Sequence, residues 1–80
     1  MRRDLAKIQQ DVGPVAWFVR CARKDAGLTQ EQLAEHCGVG ARFLKELELG
    51  KPTLRMDKVQ QVLQFFGREL GAVPLPDDRR

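Results

Sequence analysis

GLTQEQLAEHCGVGARFLKELELGK, residues 27–51, reads as two short helices joined by a tight turn. Thr29 is a good helix N-cap, because its hydroxyl can accept from an unpartnered amide of the first turn. Gln32, three residues on, can reach back to complete a capping box, with Leu28 and Leu33 as the hydrophobic staple. Leu33, Ala34 and Cys37 then supply an apolar stripe at helical steps. Gly38 ends this helix, since glycine enters the left-handed region without steric cost. Gly40 opens a second helix, Ala41 to Leu49, whose inward face is Phe43, Leu44 and Leu47, and Gly50 ends it. Two helices of about eight residues, with about three residues between them, must cross steeply.

The segments GLTQ, QLAEHCGV and FLKELELGK at these spacings resemble the Xre/Cro-like helix-turn-helix family of phage and bacterial repressors. The continuation GKPTLRMDKVQQVLQFFG narrows the resemblance to HipB-type antitoxins, over about residues 14–75. The implied fold is all-α: a lambda-repressor-like helix-turn-helix bundle of four to five helices, with a short C-terminal strand allowed. The resemblance also implies that the arginine of the first core helix, Arg23, pairs with the glutamate of the E-x-G-K segment, Glu48. An arginine on the edge of a buried face needs such a partner, and a planar guanidinium suits a carboxylate.

Eighty residues make one domain, which we divide into an N-terminal extension (1–12), a helical core (14–66), a dimerisation strand (68–76) and a polar tail (77–80). So short a chain buries little surface and gains from dimerisation. No apolar run approaches the ~20 residues of a membrane span, and no signal peptide precedes the domain, so a cytoplasmic bacterial protein is expected. In that compartment Cys21 and Cys37 are expected as free thiols. One histidine and two separated cysteines offer no metal site, and no cofactor is expected.

The net charge is +3. Residues 1–27 carry six basic and three acidic groups, whereas residues 28–51 carry three basic and four acidic. The reading segment is therefore not a basic block, and affinity for phosphate depends on where the charges point. Leu5, Ile8 and Val12 suit a short N-terminal helix or a loose tail, and Arg2, Arg3 and Lys7 could reach a phosphate backbone. Pro14 at a first helical position starts a helix to Ala26, with Val15, Phe18, Val19, Ala22 and Ala26 inward. Trp17 fits the core edge or a dimer contact. After Pro52, Thr53 is expected to cap a helix from Leu54 to Phe66 that buries Met56, Val59, Val62, Leu63 and Phe66. Phe65, off that stripe, suits an interface or plain exposure. Residues 69–76, ELGAVPLP, read as extended, an edge strand or a loop because Pro74 lacks a donor. The family resemblance implies pairing of such strands across a dimer axis, through Leu70, Ala72 and Val73.

Opposite the apolar face of the second short helix stand Ala41, Arg42, Lys45, Glu46 and Leu49. Arg42 suits guanine O6 and N7, Ala41 a thymine methyl, and Glu46 a cytosine amine. The family's base-contacting positions fall on Gly40, Ala41, Arg42 and Glu46. The small residues at 40 and 41 depart from the glutamine- or serine-rich pattern of phage repressors. Gln30, at a helix start, suits a phosphate, as the family uses it. Lys51 and Thr53 are similarly placed, and Lys45 suits either a phosphate or a solvated face.

No enzyme is expected. His36 reads as a solvated helix cap, Cys37 as core, and no phosphate loop or carboxylate pair is present. The expected function is a homodimeric repressor binding a palindromic operator of double-stranded DNA. As a HipB-like antitoxin it would also bind a HipA-type Ser/Thr kinase toxin and autoregulate their operon. The alternatives are a stand-alone Xre-type regulator and a protein-interaction module that no longer binds DNA.

Overall fold

The computed structural model describes residues 12–75. The expected N-terminal helix with Arg2, Arg3 and Lys7, Pro76, and the tail 77–80 lie outside them. The described residues form an all-α bundle: α1 (Pro14–Asp25), α2 (Gln30–Cys37), α3 (Ala41–Glu48) and α4 (Met56–Phe65). α3 packs on α2 and α1, and α4 packs on α2. The centre is Val19, Leu33, Leu44 and Val62, all fully buried.

The expected cap chemistry defines the α2–α3 unit. Thr29 Oγ1 accepts from the Gln32 amide at 3.1 Å, and the Thr29 amide donates to Gln32 Oε1 at 2.9 Å. Leu28, ahead of the cap, packs on the cluster that contains Leu33. At the other end Gly38 has φ +74°, its amide donates to Glu35 O, and the Val39 amide donates to Ala34 O. This pair of bonds satisfies carbonyls that a helix end leaves free. It also turns Val39 onto the core, so three residues suffice to redirect the chain into α3. Gln61 of α4 donates to Cys37 O at 3.1 Å and ties α4 to the end of α2.

Several expectations need correction. On α1, Val19 is fully buried and Val15 and Phe18 pack on the core as expected, but Ala16 is buried as well and Ala26 is exposed because α1 stops at Asp25. Helix α4 begins at Met56, not Leu54. Leu54 instead packs on the core ahead of the helix, so Met56 starts the first turn beyond the core's edge and is 72% exposed. Thr53 does not cap it. Arg55 holds the N-cap position without a side-chain cap bond and grips Asp57 of the first turn with two bonds, 3.1 and 2.6 Å. A carboxylate there suits the positive end of the helix dipole. Of the two alternatives for residues 69–75, the single chain takes the loop, with no strand among the described residues; pairing across a dimer axis needs a second copy. A lone extended segment has no ladder to join. Leu70 is held otherwise, by packing on the core and by its amide donating to Gln60 Oε1 at 2.8 Å.

Candidate nucleic-acid interface

Helix α3 divides cleanly. Leu44, Leu47 and Glu48 are buried, while Ala41, Arg42, Lys45 and Leu49 face solvent. Its outer side and the first turn of α2 enclose a groove of about 600 Å³, lined by Gln30, Glu31, Ala41, Arg42, Lys45, Glu46 and Leu49. Five of the eight residues singled out for nucleic acid thus share one concavity. Gly40 stands just before it as the exposed N-cap of α3. Lys51 borders it through its Nζ, which donates to Glu46 Oε2 at 3.2 Å. Thr53 is exposed but lines no part of the groove. Nothing in the spacing of α3 signals the Lys51–Glu46 pair. It joins a base-reading candidate to a phosphate candidate and neutralises one of the acidic groups that would face DNA.

Behind the groove lies a buried polar cluster. Arg23 Nε donates to Glu48 Oε2 at 2.6 Å and its Nη2 to Glu48 Oε1 at 2.9 Å, while its Nη1 donates to Leu28 O at 2.8 Å. The two-pronged bond to Glu48 raises the Arg23 guanidinium above its ordinary pKa, against the opposing effect of burial. Glu48 is only 4% exposed, and no buried side-chain polar atom among the described residues lacks a partner. Gln30 Nε2 donates to the same Oε1 at 3.2 Å. A carboxylate only accepts, so the amide nitrogen must face Glu48. One carboxylate of α3 therefore fixes the end of α1, the turn before α2 and the first side chain of α2. Sequence spacing showed the Arg23–Glu48 pair only through the family resemblance, and gave no sign of the third member.

A second groove, of about 340 Å³, adjoins the first. It shares Gln30, Lys45 and Leu49 with it and extends over α1 to Arg20 and Lys24, with Arg23 and Glu48 as its floor. The sequence signals Arg20 and Lys24 only by their spacing of four, which places them on one side of a helix.

The dimer candidates do not form one patch. Leu70 and Val73 line an apolar groove of about 370 Å³ with Pro14, Val15, Phe18 and Leu63. Phe65 lines no part of it and stacks on His36, with ring centres 5.7 Å apart. Trp17 is half-buried on α1 and Ala72 is exposed. Among the described residues no cluster of His, Cys, Asp and Glu could hold a metal ion, and no helix is long and apolar enough to cross a membrane. Cys21 and Cys37 are unpaired, and burial pushes the Cys37 thiol pKa up.

A family model described as a helix-turn-helix domain matches residues 17–73, which takes in all of α2, α3 and α4. The chain belongs to the helix-turn-helix domain family. It is 43% identical over 74 residues, 92% of each protein, to an uncharacterised HTH-type transcriptional regulator, y4mF, of Sinorhizobium fredii. It also shares its fold with a toxin-antitoxin module from Streptococcus pneumoniae, at a TM-score of 0.67 and 23% identity over 95% of this chain and 97% of the other. In this family's motif the second helix of the pair enters the major groove, and here that helix is α3.

Proposed function

We propose that this protein is a homodimeric transcriptional repressor that reads a palindromic operator through α3. One observation carries the reading: among the described residues, the side of α3 left open presents Ala41, Arg42, Lys45 and Glu46 beside the amides of the α2 N-terminus. Arg42, in the first turn of α3, pairs with a guanine through two bonds, and Gly40 and Ala41 let the helix approach closely. Gln30, Lys45, Lys51 and Thr53 serve the phosphate backbone and fix the register. Two copies about one helical turn apart, roughly 34 Å, meet successive major grooves. A duplex enriched by the wild-type protein from a random library supplies the probe. Arg42→Ala should cost about 1–3 kcal/mol on that duplex and relax one base position, with little loss on unrelated DNA. Equal losses on both duplexes would defeat base reading by Arg42.

The partner proposed for the dimer is a HipA-type Ser/Thr kinase toxin, with the chain acting as the HipB-like antitoxin that represses their shared operon. The GKPTLRMDKVQQVLQFFG resemblance supports this, and the neighbour described as a toxin-antitoxin module agrees with it. A stand-alone regulator is the second reading, favoured by the 43%-identical relative, which carries a regulator's name alone. Co-expression with the product of the adjacent reading frame separates them. A stable complex that relieves growth arrest supports the antitoxin, and an adjacent gene with no kinase fold removes it.

A further inference from the structure

We propose that the groove between α1 and α3 is a second backbone-phosphate site, in which Arg20 and Lys24 grip the duplex outside the base pairs that α3 reads. This rests on the proposed DNA-binding function and extends it to a helix outside the α2–α3 unit. Four cations line the groove, Arg20, Arg23, Lys24 and Lys45, against the single carboxylate of Glu48. Glu48 is spent on Arg23, which leaves three positive charges of the groove without a carboxylate among the described residues that line it. Among the described residues neither Arg20, Lys24 nor Lys45 has an ion-pair partner. Such a charge excess in a concave surface concentrates field and attracts a polyanion.

The position selects the anion. The groove is continuous with the reading groove through Gln30 and Lys45, so it flanks whatever α3 enters. A helix seated in a major groove about 12 Å wide has a sugar-phosphate rail on each side. Lys51 and Thr53, beyond the C-terminal end of α3, suit one rail, and Arg20 and Lys24 on α1 suit the other. Gln30 stands at the seam with its nitrogen already turned towards Glu48, leaving the second hydrogen of that nitrogen as a fixed donor. The site also answers the charge puzzle of the sequence. The α2–α3 segment alone is net acidic, and the cations that DNA binding needs come from the helix before it.

The test is a salt titration of the full-length double variant Arg20→Gln, Lys24→Gln on the library-selected duplex and on a scrambled one. Each phosphate contact adds about 0.9 to the slope of log affinity against log salt. The double variant should flatten that slope by about 1.8 for each subunit bound, equally on both duplexes, with its melting temperature unchanged. With the wild-type protein, neutral methylphosphonate linkages in the backbone flanking the selected site should reproduce the loss, and they should have no further effect on the double variant. That arm holds even if the variant folds poorly. An unaltered slope, as expected if the groove takes an acidic protein segment, overturns the proposal and leaves base reading by α3 intact. A wild-type protein that binds no duplex at any salt overturns both.

Discussion

Replacing Arg23 with alanine should be the most damaging polar substitution in the described residues. The change leaves the Glu48 carboxylate, 5% exposed as a side chain, without its counter-ion and removes the donor to Leu28 O. Breaking a buried ion pair from one side costs about 3–5 kcal/mol. Gln30 still donates to Glu48, and the Arg23 side chain is 12% exposed, so the lower end, about 3 kcal/mol, applies. The whole stability of an 80-residue chain is about 4–12 kcal/mol. At about 4–8 °C per kcal/mol for this size, the midpoint should fall by about 12–24 °C. Far-UV circular dichroism melts and urea titrations of the full chain at neutral pH read this directly. The loss should persist in 1 M salt, since a buried pair is screened far less than a surface one. Arg23→Met with Glu48→Met should recover much of it, because no charge is then buried alone. A fall under about 4 °C, or one that vanishes in high salt, would show the pair to be a surface contact and refute the reasoning.

Three further outcomes follow from the geometry. Lys51→Ala should weaken selected and scrambled duplexes by the same factor in filter-binding titrations, because a phosphate carries no sequence information; a loss confined to the selected duplex would instead make Lys51 a reader. Gly50→Ala should destabilise by at least about 1–2 kcal/mol, since Gly50 has φ +81° and an added Cβ would lie 2.5 Å from Val12 O. Gly67→Ala, with φ +71° but open space around it, should cost less in parallel urea titrations, and equal costs would remove the Val12 contact from the account. Cys37, its thiol pKa raised by burial, should alkylate more slowly in a Cys21→Ser background than a free cysteine at mildly alkaline pH. With the folded pKa above the unfolded one, its contribution to stability is intact below the ordinary thiol range and is lost as pH rises from there through the raised folded value. Labelling at the rate of free cysteine would contradict this.

The parts legible in the sequence were those set by local chemistry. Thr29, Gln32 and Gly38 act within one turn of themselves, so their spacing suffices to place α2 and the start of α3. The outer face of α3 follows from the phase of Leu44 and Leu47 alone. What was misread depends on longer distances. The apolar periodicity through Met56 holds in sequence, but Leu54 takes the core position ahead of α4 and leaves Met56 in solvent. Ala16, whose methyl group adds little to a hydrophobic stripe, is buried on α1 outside the central cluster that takes Val19. The bond from Gln30 to Glu48 spans 18 residues and two helices, and no pattern in either helix signals it. Arg20 and Lys24 read as ordinary solvated charges until the packing of α1 on α3 sets them at a groove.

On one eight-residue cylinder the anchor at Glu48 is buried, while the proposed letters at 41, 42, 45 and 46 line an open groove. Recognition and scaffolding therefore draw on separate alphabets. On the proposed reading, descendants of this chain are free to drift towards new target sites by exchanging outward residues while the inward glutamate stays put. An engineer could re-address the protein by the same route, without rebuilding its interior.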